Sequence, residues 1–225
     1  LDSVWNIPWV STITYPVAAV EPHVRDITID PKDPKTMYVA LQVGYMLKTT
    51  DGGKNWELLN KNLDCDVHTI VLHPDNANQI YIATGGHDCR AGKAPGRALY
   101  SSSDGGKSWS PMAMEFKEEY SVPLAVHPTK HNVIYSAVAN GQPGAWRKRN
   151  GDAQAYLIQS TDAARRGRNW TARCRRQARA SLRASPSTRR ILIACTRHSA
   201  TATCSAAPIA AIVGLNCSTC PSFPT

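Results

Sequence analysis

Two nine-residue stretches of almost the same sequence decide the fold. Residues 48–56 read KTTDGGKNW, and residues 101–109 read SSSDGGKSW. A pair of glycines permits the positive φ angles of a tight turn, and the Asp carboxylate accepts backbone N–H groups across it. The segments before them, MYVA from residue 37 and IYIA from residue 80, contain the β-branched and aromatic residues typical of strands. Each copy therefore predicts strands joined by an Asp-Gly-Gly turn.

A third copy follows farther along the chain. It reads LAVHP over residues 124–128, IYSA over residues 134–137 and QSTD over residues 159–162. The separation from the anchor proline to the following tyrosine is seven residues in all three copies. The anchor prolines, Pro31, Pro74 and Pro128, recur after 43 and then 54 residues. A repeat of this length predicts three copies of one structural unit.

The shared pattern is Ser/Thr-x-Asp-x-Gly-x-x-Trp, preceded by a strand that ends near Asp-Pro or His-Pro. It resembles the Asp-box, or BNR, repeat of β-propellers, found in sialidases, sortilin-type receptors, xyloglucanase-like glycosidases and photosystem assembly factors. The resemblance is specific for the fold and leaves the function open, because the family is functionally mixed. The repeated residues expected to be structural are Asp51, Gly53, Trp56, Asp104, Gly106, Trp109, Asp162 and Trp170.

The predicted fold class is all-β, a partial β-propeller of about three four-stranded antiparallel blades with an irregular basic C-terminal tail. The blades occupy residues 24–170, residues 1–23 are a lead-in that belongs to a preceding blade, and residues 171–225 form a disordered or non-native tail. Closed propellers have about four to eight blades. The remaining blades are therefore expected from a longer chain or from a partner.

The charge is distributed unevenly along the chain. The formal net charge is +9, yet residues 163–225 contain 11 Arg and no Asp, Glu or Lys. The first part of the chain is therefore slightly acidic, and the overall basic charge says nothing about its partners. An Arg-rich tail can contact phosphates, but no recognition motif accompanies it, and we do not expect nucleic-acid binding.

The third repeat breaks down where the tail composition begins. Asp162 is followed by Ala163 and Ala164 instead of a glycine pair, and Trp170 lies eight residues after the Asp instead of five. A reading-frame slip explains both changes, and a basic disordered tail is the alternative. The chain also begins at Leu1 without a signal-peptide pattern, so we expect a fragment or a processed form.

Loop length points to one face of the fold. Because successive strands are antiparallel, the loops between second and third strands share a face with the connections between blades. The Tyr-to-Asp distance grows from 13 to 23 to 27 residues, which adds about residues 85–97 and 140–154 to this face. Long loops on one face are a reasonable place for a binding surface, and ordinary solvated loops are the alternative. The candidate binding residues are Arg25, His68, His87, Asp88, Arg90, Glu118, Glu119, Trp146 and Arg147.

Two functions of different classes fit this pattern. The first is a binding or assembly scaffold for a protein or glycan ligand, with Trp146 as an aromatic anchor beside Arg147. The alternative is a sialidase-like or xyloglucanase-like glycoside hydrolase fragment, which needs two loop carboxylates about 5–10 Å apart. No such pair is marked, the early Arg-Ile-Pro motif of sialidases is missing, and Gln42 stands where the resemblance places a xyloglucanase-like Asp.

We expect no cofactor and no metal. Cys217 and Cys220 have no second pair at zinc-like spacing, and the three-residue separation of Cys65 and His68 is read as chance. Whether Cys65 pairs with Cys89 is left open. No run of about 18 apolar residues occurs, so we expect no membrane span. The family resemblance implies a secreted or periplasmic location.

Overall fold

The computed structural model describes residues 7–8, 23–113, 116–163 and 167–169. Within them the chain forms three antiparallel sheets, each with four strands in chain order. The predicted all-β architecture of three four-stranded blades is confirmed. The tail at 171–225, Trp170 and almost all of the lead-in lie outside the described residues.

The strands occupy the segments around the repeated motifs. The first blade contains β1 (His23–Ile29), β2 (Met37–Gln42), β3 (Met46–Thr49) and β4 (Glu57–Leu59). The second contains β5 (Val67–Leu72), β6 (Ile80–Thr84), β7 (Leu99–Ser102) and β8 (Ser110–Pro111). The third contains β9 (Tyr120–Val126), β10 (Ile134–Ala139), β11 (Tyr156–Ser160) and β12 (Gly167–Asn169). Two short helices are α1 (His87–Arg90) and α2 (Pro143–Arg147).

Hydrophobic clusters hold neighbouring blades together. Strand β1 contacts β5, and β5 contacts β9, so the first strand of each blade lies innermost. The cluster between the first two blades includes Tyr38, Met46, Leu59, Ile70, Tyr100 and Trp109. The cluster between the second and third blades includes Tyr81, Leu99, Leu124, Ile134 and Ile158. Burial of each large side chain stabilises the fold by about 1.5–3 kcal/mol, so the blades support one another.

The two Asp-Gly-Gly turns use the same hydrogen bonds. The Asp51 carboxylate accepts the Asn55 backbone N–H at 3.0 Å, and the Asp104 carboxylate accepts the Ser108 backbone N–H at 3.0 Å. In each turn the second glycine, Gly53 or Gly106, has a φ near 90°. The tryptophans differ in burial. The Trp56 indole is half-buried and donates to the Gly53 carbonyl at 3.1 Å, whereas Trp109 is buried between blades.

The described start of the third turn, residues 160–163, follows the other two turns without a glycine at residue 163. The Ser160 hydroxyl donates to Asp162 Oδ1 at 2.9 Å. Ala163 has a φ of 56°, and its N–H donates to the Asn132 carbonyl at 2.8 Å. A left-handed φ costs an alanine about 1–2 kcal/mol. The first residue of the break, Ala163, therefore takes the backbone conformation of the glycine that it replaces.

The residue before each anchor proline forms a small backbone turn. Asp30 Oδ1, His73 Nδ1 and His127 Nδ1 each accept the N–H of the residue two positions later, at 2.8, 3.2 and 3.1 Å. A backbone N–H only donates, so Nδ1 carries no proton in either histidine. Both imidazoles therefore serve the turn on the Asp-box side of the blades.

Candidate functional site

The loop face of the molecule, defined as residues 43–45, 60–66, 85–97, 116–119 and 140–154, carries both helices. The loop from β6 to β7 contains α1, and the loop from β10 to β11 contains α2. In the first blade the equivalent connection is only a turn, in which Val43 and Tyr45 have positive φ angles of 57° and 63°. The long loops of the second and third blades therefore dominate this face.

Asp64 organises the first long loop from beneath. Its side chain is fully buried, and Oδ1 accepts the backbone N–H groups of Asp66 at 3.0 Å and His87 at 3.1 Å. Its Oδ2 accepts the Cys89 N–H at 2.8 Å. Burial raises the pKa of Asp64, against the opposing effect of these N–H donors. Two of those donors belong to the first turn of α1, so Asp64 fixes where that helix begins.

A thiol, an imidazole and a carboxylate meet above Asp64. We call Cys65, His87 and Asp88 the Cys65 cluster. The His87 Nδ1 atom lies 3.4 Å from Cys65 Sγ and 3.2 Å from Asp88 Oδ1. The Tyr45 hydroxyl donates to Asp88 Oδ2 at 3.2 Å. Burial and then the charge of Asp88 raise the pKa of Tyr45 to about 12, and burial likewise raises the pKa of the Cys65 thiol.

A second buried pair lies at the start of β5. His68 Nδ1 donates to the Ser121 carbonyl at 2.7 Å, and Nε2 lies 3.3 Å from Asp66 Oδ1. Neither Nε2 nor that Oδ1 has a hydrogen-bond partner among the described residues. Burial acts to raise the pKa of Asp66, but the neighbouring His68 outweighs it and holds the pKa below its ordinary value. These two atoms are therefore buried side by side without a hydrogen bond between them.

Bulges place the side chains at the start of the inner strands. Arg25 falls between the paired residues Val24 and Asp26, and His68 falls between Val67 and Thr69. A bulge residue is turned out of the regular alternation of the strand. The two equivalent positions then differ in burial: Arg25 is exposed, whereas His68 is only 4% exposed.

An aromatic chain joins the inner strands to the second long loop. The rings of His68 and Tyr120 are 5.1 Å apart, and those of Tyr120 and Trp146 are also 5.1 Å apart, both edge to face. The half-buried Trp146 indole donates to the carbonyls of Asn140 at 3.0 Å and Gly141 at 2.9 Å. Trp146 is thus fixed in its own loop, with its N–H already used.

The acidic residues of the neighbouring blade connection are held inward. Glu118 is buried, accepts the Tyr156 hydroxyl and accepts the Lys117 N–H at 3.0 Å. Glu119 is half-buried, and its carbonyl lies against Gly86, where an added Cβ would approach it to 2.2 Å. Only glycine fits there, because Gly86 also has a φ of 66°.

Arg90 links the two long loops. Its guanidinium donates to the Gly85 carbonyl at 2.5 Å and to Gln142 Oε1 at 2.9 Å. Arg147, at the end of α2, is exposed. The structure thus brings His68, His87, Asp88, Arg90, Glu118, Glu119 and Trp146 together in one connected region.

The comparison with known families agrees with this architecture. The Sortilin-Vps10 family model, described as sortilin, neurotensin receptor 3, matches residues 44–212, which is more than half of the chain. The chain belongs to the Sortilin-Vps10 family. The predicted BNR-type propeller identity is therefore confirmed. No curated protein matches the chain.

Solved structures of several proteins are similar to this Sortilin-Vps10 chain. An ancestral GH74 enzyme gives a TM-score of 0.51 at 20% identity, over 64% of this chain and 18% of that enzyme. YCF48 from Cyanidioschyzon merolae gives 0.42 at 17%, over 70% of this chain and 38% of YCF48. YCF48 bound to D1 peptide gives a TM-score of 0.41 at 13% identity, over 69% of this chain and 42% of that chain. The chain spans less than half the length of each, and the first likeness is one of fold.

Sequence reasoning missed the Cys65 cluster of this Sortilin-Vps10 chain. It read the closeness of Cys65 and His68 along the chain as chance and left open whether Cys65 pairs with Cys89. In the structure Cys65 lies beside His87, and both thiols are free. Predicting the cluster would have required the register between β5 and β6. Val67 pairs with Thr84, so residues 64–66 necessarily run alongside residues 85–89. No helix in the described part of the chain is long and apolar enough to cross a bilayer.

Proposed function

We propose that this chain is a binding module whose loop face takes an acidic segment of a protein partner. The observation that carries the proposal is the Arg90 link, which joins the loops of two blades into one surface. A surface assembled before binding loses less conformational entropy when a ligand is bound. The family contains members of several functions, so the argument rests on the charges and contacts of this face.

The exposed charges of the two long loops are mostly basic. Among residues 85–97 and 140–154, Asp88 is buried and Asp152 is the exposed acid. The basic side chains there are Arg90, Lys93, Arg97, Arg147 and Lys148, all exposed, and the half-buried Arg149. A surface with this balance attracts acidic ligands and raises their association rate.

Trp146 supplies an apolar contact at the edge of this basic surface. Its ring is braced by Tyr120, and its N–H is used by its own loop. A ligand therefore meets a fixed aromatic surface, which loses little rotamer freedom on binding. The neighbouring Arg147 and Lys148 supply positive charge. The aromatic anchor Trp146 and the basic groups that attract the ligand therefore all lie at the C-terminal end of α2.

The contacts of the loop carboxylates weigh against glycoside hydrolysis, the alternative function. A glycosidase needs one carboxyl group to donate a proton and a second to act as nucleophile or base. Asp64 is fully buried and accepts three backbone N–H groups, and Glu118 is buried against Tyr156. Asp88 is buried between His87 and Tyr45. These carboxylates are therefore used as hydrogen-bond acceptors that stabilise the loops.

The test uses the full chain and a short fluorescent Glu-rich peptide, with binding followed by anisotropy. Arg147→Glu with Lys148→Glu reverses charge on the loop face. Lys54→Glu with Lys107→Glu makes the same charge change beside the exposed Asp-box turns. We expect the loop-face pair to weaken binding at least about tenfold, and the control pair to change it far less.

Both double variants keep the Arg-rich tail, so any binding of the peptide to the tail is the same in both. Equal weakening in the two variants would mean that total charge or the tail binds the peptide, and the proposal would be wrong. Binding of a sulfated oligosaccharide in place of the peptide would make the ligand a glycan. Turnover of a glycan that is lost on Asp66→Asn would instead support the enzyme.

We also infer that the outer face of β1 packs against a further blade, from a longer chain or a partner. Val24, Ile27 and Ile29 are 53%, 51% and 52% exposed, which is unusual for large aliphatic side chains on one strand. Thr28, between the two isoleucines, bonds the Ile70 carbonyl of the next blade at 3.2 Å. Ile27→Thr should reduce concentration-dependent association in sedimentation velocity, and an unchanged profile would contradict the inference.

A further inference from the structure

The Cys65 cluster has the donor set of a transition-metal site. It combines a thiol, an imidazole nitrogen and a carboxylate, whose ligand atoms all lie within 4.8 Å of one another. Cys65 and Asp88 are 5% and 7% exposed, while about a third of the His87 side chain is exposed. Sulfur, nitrogen and oxygen from three side chains are the mixture that Zn²⁺ binds in proteins.

The spacing of the donor atoms matches a tetrahedron. With bonds of about 2.3 Å to sulfur and about 2.0 Å to nitrogen and oxygen, a tetrahedral ion separates sulfur from nitrogen by about 3.5 Å and nitrogen from oxygen by about 3.3 Å. The observed Sγ–Nδ1 and Nδ1–Oδ1 distances are 3.4 and 3.2 Å. Two of the three separations therefore match those of a tetrahedral ion, and the third pair of atoms lies within 4.8 Å.

The surroundings of the cluster hold the ligands and favour a cation. The Tyr45 hydroxyl bonds Asp88 Oδ2, which leaves Oδ1 turned toward His87. Asp64 bonds the N–H groups of His87 and Cys89 and so fixes the helix that presents two of the ligands. Such outer contacts orient metal ligands in known sites.

Several buried carboxylates lie near the cluster. Asp64, Asp66 and Asp88 are all buried, and the charges of Asp66 and Asp88 act on Asp64. His68 and Arg25 act on Asp66, and His87 contacts Asp88. Buried carboxylates are stable when paired or when they coordinate a metal. A divalent cation at this point would compensate the charge.

The same three side chains do not form a proton relay. In a Cys-His-Asp triad, the thiol contacts one ring nitrogen and the carboxylate contacts the other. Here both Cys65 and Asp88 contact Nδ1 of His87. A ring that meets both partners through one nitrogen cannot pass a proton between them. Convergence of three donors on one point is the geometry of coordination.

We propose that Cys65 Sγ, His87 Nδ1 and Asp88 Oδ1 bind one Zn²⁺ ion on the loop face. Binding releases the thiol proton to solvent, so the ion meets a thiolate, a neutral imidazole and a carboxylate. The three protein ligands leave a fourth position for water. The ion ties the connection between the first two blades, at Cys65, to the long loop that carries His87. This site stands independently of the acidic-ligand proposal.

The test uses Co²⁺ as the probe and the full chain with its five tail cysteines, at positions 174, 195, 204, 217 and 220, replaced by serine. Thiolate coordination gives Co²⁺ a sulfur-to-metal charge-transfer absorption, and tetrahedral geometry gives intense visible bands. We expect both in this protein, with Zn²⁺ displacing the Co²⁺. Cys65→Ser should abolish the charge-transfer absorption.

Cys89→Ser is the matched control, because the Cys89 thiol donates to the Gly96 carbonyl at 2.7 Å and lies outside the cluster. It should keep the full spectrum. His87→Gln alters the partly exposed ligand, and we expect it to weaken Co²⁺ binding at least about tenfold while circular dichroism stays unchanged. A spectrum without thiolate absorption in the parent protein, equal loss in both cysteine variants, or unchanged affinity of His87→Gln would overturn the proposal.

Discussion

His68 Nδ1 donates to the Ser121 carbonyl at 2.7 Å, which joins the inner strand of the second blade to that of the third. A carbonyl only accepts, so the proton is on Nδ1 and the imidazole has a defined orientation. The ring also packs edge to face on Tyr120. A histidine expected at a binding surface thus acts as a connection between blades.

The first prediction concerns this connection. His68→Ala removes a buried ring and leaves the Ser121 carbonyl without its donor, so we expect a loss of about 3 kcal/mol in the free energy of unfolding. Urea denaturation measures it. The control is His73→Ala. The half-buried His73 accepts a local N–H at 3.2 Å and has looser ring contacts with Tyr81 and His131, so its loss should cost about 1 kcal/mol. Equal costs would contradict the interpretation.

The second prediction concerns acid stability of the Asp-box turn. Burial acts to raise the pKa of Asp104, but hydrogen bonds from Ser108 and Ser102 outweigh it and lower the pKa from 3.8 to about 2. A lowered native pKa stabilises the fold above the unfolded pKa, and this contribution is lost as the pH falls from about 4 through about 2. Because the side chain is exposed, the effect is at most about 1 kcal/mol.

Asp104→Asn should therefore destabilise the protein at neutral pH and cost much less at about pH 2. Ser108→Ala keeps the carboxylate but removes one donor, so its acid sensitivity should lie between those of the wild type and Asp104→Asn. Thermal unfolding across this pH range makes the comparison. A cost of Asp104→Asn that does not change with pH would argue against the assigned hydrogen bonds.

The third prediction compares the first glycine of one Asp-box turn, Gly52, with the second glycine of the next, Gly106. An added Cβ at Gly106 would lie 2.6 Å from Leu59 Cδ1, a buried atom of the neighbouring blade, and Gly106 has a φ of 91°. Gly52 has a φ of 78°, but nothing lies within 4 Å of its Cβ position. Gly52→Ala should cost about 1–2 kcal/mol through backbone strain alone. Gly106→Ala should cost about 1–3 kcal/mol more, because it also overpacks the blade interface. Similar costs in urea unfolding would refute the interface clash.

The fold was predictable because each repeat is determined by short stretches of sequence. Asp51 and Asp104 stand in nearly identical strings, and the turn, the strands around it and the register of the repeat follow from those strings. The shared face of the long loops also follows, because antiparallel strands alternate their connections. Nothing in that argument needs side-chain contacts between distant segments.

The site was harder to predict, because it depends on contacts between separate loops. Trp146 was expected as an anchor, but whether its N–H stays available depends on Asn140 and Gly141, which fold back onto it. His68 was expected at a channel mouth, and the bulge that turns it toward Ser121 has no marker in the sequence. Cys65 was considered only beside His68 and Cys89, whereas strand pairing brings His87 to it.

The last prediction uses the third turn, where the sequence motif is broken. Ala163 has a φ of 56° and donates its N–H to Asn132, as Gly105, with a φ of 73°, donates to Asn78. Alanine bears a steric cost of about 1–2 kcal/mol in this conformation, and glycine avoids it at the expense of more entropy in the unfolded chain. Ala163→Gly should therefore stabilise the protein by about 0.5–1 kcal/mol. Ala91→Gly is the control, since Ala91 is exposed with a φ of −82°, and there glycine should destabilise by a similar amount. Urea unfolding should give opposite signs for the two variants, and a loss of stability in both would mean that Ala163 does not occupy the glycine position of a true Asp-box turn.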